Sequence, residues 1–135
     1  MRGMNQSHLK QLLREVGIKP RKKLGQSFVA DRQLLSRMVA YAELHATDAV
    51  VDVGAGFGFL TELLAQHAGR VAAVEVDHRL TSYLQKKFAG NNRVRVISGD
   101  FMVLNLRGEY NKVVSSPPYS FASSILFKLL AEKYE

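Results

Sequence analysis

At 135 residues the chain is long enough for one domain with a buried core, and its 47% apolar content is that of an ordinary globular protein. No apolar run is long enough to span a bilayer, the first residues lack the apolar stretch of a secretory leader, and zero cysteines exclude disulfides and thiolate metal sites, so a cytoplasmic protein without metal is expected. The net charge of +7 is uneven: residues 1–32 carry eight basic residues against Glu15 and Asp31, and the remaining 103 carry eleven against ten. That is the footprint of a basic arm on a nearly neutral body, suited to nucleic acid or, more plainly, to a solvated tail.

In chain order, "SHLKQLLREV" (7–16) reads as a short helix capped by Ser7, with Leu9, Leu12, Leu13 and Val16 on one stripe. Gly17, Pro20 and Gly25 then break regularity. A second helix is expected from an Asp31 cap to about Leu44, burying Leu34, Leu35, Met38, Val39 and Ala42. Strands and helices alternate thereafter. "AVVDVGAG" is a strand entering a glycine turn, and "FLTELLAQHAGR" a helix closed by Gly69. "VAAVEVD" is a strand, "HRLTSYLQKKFAG" a helix ending at Gly90, and "RVRVISGD" a strand with Val94 and Val96 alternating against Arg93 and Arg95. "NKVVSS" is a fourth strand and "FASSILFKLLAEKYE" a last helix. The pattern predicts an α/β fold, a parallel sheet with flanking helices. With no strand after the last helix, it reads as the front part of a larger fold, whose fourth strand is left as an apolar edge open to self-association.

The chemistry gathers at the strand ends. In "VVDVGAGFGFLT", Gly54, Gly56 and Gly58 let the backbone turn and let a ligand approach ahead of a helix N-terminus. A dinucleotide site expects G-x-G-x-x-G, and Phe59 stands where its third glycine belongs. The G-x-G-x-G spacing suits S-adenosylmethionine (SAM), whose amino acid moiety can lie against the loop. Glu75 ends the second strand, 21 residues after Gly54, where a carboxylate can accept both hydroxyls of a ribose. Asp100 ends the third, placed to accept from an adenine amine. A ligand-free glycine turn, a helix-start acid and a turn-forming aspartate are the structural alternatives.

After the fourth strand comes "SSPPYSF". Its prolines fix φ and leave carbonyls free, and Tyr119 offers a face on which a base can stack. Acceptors such as the Ser116 hydroxyl and the Pro117 carbonyl could hold the hydrogens of an exocyclic amine and aim its lone pair at a methyl group, catalysis by position and electrostatics. A rigid connector, with Tyr119 covering the core, is the alternative.

From about Arg21 onward the chain resembles the ribosomal RNA adenine dimethyltransferases, which have a Rossmann-like class I SAM-dependent methyltransferase fold. "KKLGQSFVAD" is similar to the family's K/R-x-x-G-Q-x-F opening, and "VVDVGAGFGFLT", "VAAVEVD" and "SGDF" follow its SAM motifs in order. The resemblance implies that Gln26, Ser27 and Val29 cover the cofactor, that Gly54, Gly56 and Gly58 hold its methionine part, Glu75 its ribose and Asp100 its adenine. It makes Ser116 a cofactor-side residue as well as a catalytic candidate with Pro117 and Tyr119. It implies ribosomal RNA or the small ribosomal subunit as partner, with Arg21, Lys22 and Lys23 on phosphates. The division expected is a basic arm with a short helix over 1–24 and a partial SAM-binding domain over 25–135.

The family loop reads Asn-Leu-Pro-Tyr where this chain has Ser116-Pro117-Pro118-Tyr119, a form similar to cytosine-amine DNA methyltransferases. An amine target fits both. The competing readings are a non-catalytic RNA-binding relative and an amine methyltransferase with another target base.

Overall fold

The computed structural model describes residues 6–18 and 32–115. The order of elements is α1 (Gln6–Val16), α2 (Arg32–Tyr41), β1 (Ala49–Val53), α3 (Phe59–His67), β2 (Arg70–Glu75), α4 (His78–Lys87), β3 (Val94–Ser98) and β4 (Lys112–Val113). The last predicted helix, the Asp31 cap and the Ser-Pro-Pro-Tyr loop lie outside the described residues.

The sheet is parallel with order β3-β2-β1-β4. Central strands of a parallel sheet are covered on both faces, which is why β1 reads as an almost continuous apolar run and is buried along its whole length. Val50 and Val71 pack with Leu35, Val39, Leu60 and Leu64 from α2 and α3, while Ala73 meets Leu84 and Phe88 at α4. On the opposite face Val51, Val53, Ala72 and Val74 pack against Phe101, Leu106 and Tyr110. Those three belong to the stretch between β3 and β4, which crosses the sheet from one edge to the other through turns instead of a helix.

α1 ends as a Schellman motif: Gly17 adopts φ +74°, its N–H donates to the Arg14 carbonyl at 3.1 Å, and the Ile18 N–H donates to the Leu13 carbonyl at 2.9 Å. The apolar contact that accompanies this motif is present, Ile18 and Leu13 being buried in one cluster with Leu12, Phe57 and Leu80. The helix begins at Gln6, so Ser7 lies within it and not ahead of it.

Two further expectations are corrected. Leu34 is 46% exposed, because the buried stripe of α2 runs through Leu35, Met38 and Val39, one position off. Gly69 does not close α3 in a left-handed conformation, since Ala68 is already extended at φ −91°. Glycine is required there because a Cβ would stand 2.2 Å from the Ala46 carbonyl oxygen.

β4 pairs with β1 over two residues only, and a polar knot at the N-terminal ends of these strands holds them together. Asn111 accepts from the Ala49 N–H at 2.8 Å and donates to Asp48 Oδ1 at 2.8 Å. Lys112 Nζ donates to Asp48 Oδ2 at 3.0 Å and to the Ala42 and Glu43 carbonyls behind α2. The hydrogen bonds from Asn111, the His45 backbone and Lys112 hold the Asp48 carboxyl far below the usual carboxylate range. Among the described residues no helix is long and apolar enough to cross a membrane, and no cluster of side chains could hold a metal ion.

Candidate cofactor site

Because all four strands run the same way, their C-terminal ends share one edge, and the glycine loop, Glu75 and Asp100 follow β1, β2 and β3 there. The loop is stitched to β2: the Gly54 and Ala55 N–H groups both donate to the Val74 carbonyl, at 2.8 and 3.1 Å. Gly54, Gly56 and Gly58 all have positive φ, between 60° and 81°. Among the described residues a Cβ at Gly54 would meet nothing within 4 Å, so they leave the space beside this backbone open. At Gly58 a Cβ would lie 2.8 Å from Phe88 and 2.9 Å from Leu84, so this glycine serves the packing of the loop on α4. α3 starts directly after Gly58, and among the described residues no side chain caps it, so none of them takes up the first-turn amides as a cap would.

Glu75 is buried, and its carboxylate holds two backbone groups. Oε1 accepts from the Gly56 N–H at 2.9 Å and Oε2 from the Asp77 N–H at 3.0 Å. Each oxygen keeps a further lone pair for a donor such as a hydroxyl. Glu75 therefore shapes the loop through these two bonds, a role the sequence does not display.

Asp100 is exposed beyond β3, and its Oδ1 accepts from the Met102 N–H at 2.9 Å. The turn-forming reading of Asp100 is thus present in the structure, and Oδ2 faces no hydrogen-bond donor among the described residues. Apolar side chains accompany both acids: Val76, next to Glu75, is 58% exposed, and Met102, just after Asp100, is 37% exposed. Exposed valine and methionine at strand ends supply apolar surface beside the acceptors, and only the fold reveals it.

Three further residues bear on the site without having been singled out from the sequence. Asp52 is 1% exposed in β1 and accepts from Thr61 Oγ1 at 2.7 Å. Burial pushes its carboxyl up to about 7, with the Thr61 hydrogen bond opposing and the nearby Glu75 charge adding to the rise. The signal was available: an aspartate inside an apolar strand demands a buried partner. Lys87 donates to the Phe57 carbonyl at 2.7 Å, pairs with Glu62, and lies 5.0 Å from the Phe59 ring centroid, clamping the loop's far end to α4. Ser115 Oγ donates to the Val53 carbonyl, tying the end of β4 to the residue before Gly54. Of the residues expected at the site, Gly54, Gly56, Gly58, Glu75 and Asp100 are brought to one edge. Gln26, Ser27, Val29, Ser116, Pro117, Tyr119 and the basic Arg21, Lys22 and Lys23 lie outside the described residues.

Residues 17–135 match the family model of ribosomal RNA adenine dimethylase. A ribosomal RNA small subunit methyltransferase A of Geobacter sulfurreducens is 42% identical over 125 residues, covering 87% of this chain and 45% of its own length. Another of that name from Syntrophus aciditrophicus is 38% identical over 129 residues, covering 90% of this chain and 46% of its own. The crystal structure of the 23S rRNA methyltransferase ErmE is similar with TM-score 0.73 and 31% identity, over 80% of this chain and 44% of that one. A dimethyladenosine transferase from Plasmodium falciparum follows at TM-score 0.71 and 25% identity, over 78% of this chain and 38% of that one. The chain spans less than half the length of these relatives. The parallel sheet is that of the class I methyltransferases, and the chain belongs to the ribosomal RNA adenine dimethylase family.

Proposed function

We propose that this chain is the cofactor-binding part of a SAM-dependent methyltransferase acting on the exocyclic amine of adenine in ribosomal RNA. The observation that carries the reading is the meeting, on one sheet edge, of an open glycine turn, a buried carboxylate and an exposed aspartate at three successive strand ends. The fit to SAM is a matter of complementary chemistry. The turn beside Gly54 leaves room where any side chain would intrude, and the uncapped amides of α3 suit a carboxylate. Glu75 keeps lone pairs for two ribose hydroxyls, Asp100 Oδ2 suits an adenine amine, and Val76 with Met102 offers the faces of the base apolar contact.

When bound, SAM supplies a methyl group on a positively charged sulfur. The chain's own contribution is to hold and orient. Ser116 and Pro117 are the proposed acceptors for the amine hydrogens, and Tyr119 the platform for a base that must leave its stack to be reached. Gln26, Ser27 and Val29 would cover the cofactor, while Arg21, Lys22 and Lys23 would follow RNA phosphates, making binding fall steeply with salt.

The test is transfer of a labelled methyl group from SAM to small-subunit ribosomal RNA, read by nuclease digestion and identification of the nucleoside. Methylated adenosine supports the reading. Methylated cytidine moves the target to another base, and RNA binding that is indifferent to SAM in a folded chain would replace the enzyme with a binding module.

A further inference from the structure

α1 lies ahead of the residues that match the family model, yet it reaches the cofactor edge by two routes. The first is apolar. Leu12, Leu13 and Ile18 share a buried cluster with Phe57, the residue between Gly56 and Gly58, and with Leu80 of α4. The second is polar and starts at the carbonyl of Gly17, the residue that ends α1. Arg79 Nη1 donates to that carbonyl at 2.6 Å, and Nη2 donates to Asp77 Oδ2 at 3.0 Å. Arg79 Nε and its backbone N–H both donate to Asp77 Oδ1, at 3.2 and 2.9 Å. The backbone N–H of the same Asp77 donates to Glu75 Oε2, whose other oxygen holds Gly56. A line of hydrogen bonds thus runs from the end of α1 to the middle of the glycine loop.

We infer that Arg79 is a positioning residue for the cofactor loop, and that the docked end of α1 sets the geometry of Glu75 and Gly56 through it. The fork geometry explains why arginine is used: one guanidinium spans a backbone carbonyl and both oxygens of a carboxylate, which an ammonium cannot do. Arg79 fixes Asp77, and Asp77 presents its N–H to Glu75 at the turn from β2 into α4. With that N–H displaced, the Glu75 carboxylate is free to rotate away from Gly56. The site it positions is the SAM site proposed above, so the consequence for ligand binding rests on that reading. The consequence for the loop does not.

The two are measured separately in the full chain. Arg79→Met keeps the length of the side chain and removes the fork; Arg79→Lys keeps the charge beside Asp77. Hydrogen exchange of the Gly56 amide, without ligand, reads the loop, and calorimetry with S-adenosylhomocysteine (SAH) reads the site. The expected result for Arg79→Met is about tenfold lower protection at Gly56 and about three- to tenfold weaker SAH binding, the free-energy equivalent of one or two hydrogen bonds. Arg79→Lys is expected between that variant and the wild type, and it carries the comparison if Arg79→Met does not fold. Gly56 protection at the wild-type level in a folded variant overturns the inference. Loosening of Gly56 in a chain whose wild type binds no SAH would support the positioning role and reject the SAM reading.

Discussion

Asp52→Asn is predicted to remove a large pH dependence from the stability of this chain. Asp52 is 1% exposed, and burial raises its carboxyl from 3.8 to about 7. A group whose folded-state value is raised binds its proton more tightly folded than unfolded. Its contribution is therefore fully present below the unfolded value of 3.8 and is lost as pH rises through about 7. At 1.36 kcal/mol per unit, that interval corresponds to roughly 4 kcal/mol. Asparagine has nearly the same shape, keeps an oxygen to accept from Thr61, and does not ionise in this range. The assay is urea denaturation of both proteins from pH 4 to pH 8.5. Subtracting the curves cancels the histidines and every other group common to both. The asparagine variant should gain on the wild type as pH rises, by roughly 4 kcal/mol in all, with most of the change between pH 5 and 7. Parallel curves would refute the reasoning, for they would mean that Asp52 titrates alike in the folded and unfolded chains.

The opposite sign is expected at Asp48, whose carboxyl is held low by Asn111, the His45 backbone and Lys112. Its contribution is present above the unfolded carboxylate value and disappears in acid, so Asp48→Asn should flatten the fall in stability below about pH 4. Asn111→Ala removes the two side-chain hydrogen bonds of Asn111, to Asp48 and to the Ala49 N–H, and should cost about 1–3 kcal/mol in a denaturant titration. Gly58→Ala combines φ +81° with a Cβ 2.8 Å from Phe88 and should destabilise by about 2–4 kcal/mol in thermal or urea unfolding. Gly54→Ala, with φ +72° and open space, should cost only about 1–2 kcal/mol while abolishing measurable SAH binding by calorimetry.

Much of this was legible because the physics is local. Three apolar runs ending in glycine or acid, separated by two helical stripes, leave little freedom but a parallel sheet, and a parallel sheet puts Gly54, Glu75 and Asp100 on one edge. What was not legible depends on residues far apart in the chain. Nothing in "YNK" announces that Asn111 and Lys112 will meet an aspartate more than sixty residues earlier. Lys87 reads as an ordinary basic helix end until α4 is laid against the loop and its ammonium finds the Phe57 carbonyl. A glycine just after a helical stripe reads as the residue that closes the helix, but the actual constraint on Gly69 is the carbonyl of Ala46, which only tertiary packing brings near. Asp52 could have been found from the sequence, as a charge in a strand with no exposed face.

The dual role of Glu75 has a bearing on every experiment at this site. A carboxylate that holds Gly56 and Asp77 cannot be removed without loosening the loop it belongs to. Loss of ligand binding in a Glu75 variant is informative only alongside evidence that the sheet is intact, which far-UV circular dichroism and the urea midpoint supply. Gly54→Ala is the complementary probe, since it fills ligand space and leaves the carboxylate in place.

The most direct test of the central claim is a calorimetric titration of SAM into the folded 135-residue chain, with Glu75→Ala and Gly54→Ala beside it. Saturable binding of one SAM per chain, lost in both variants, is the predicted result. A chain that is folded by its urea transition and takes up no SAM would contradict it.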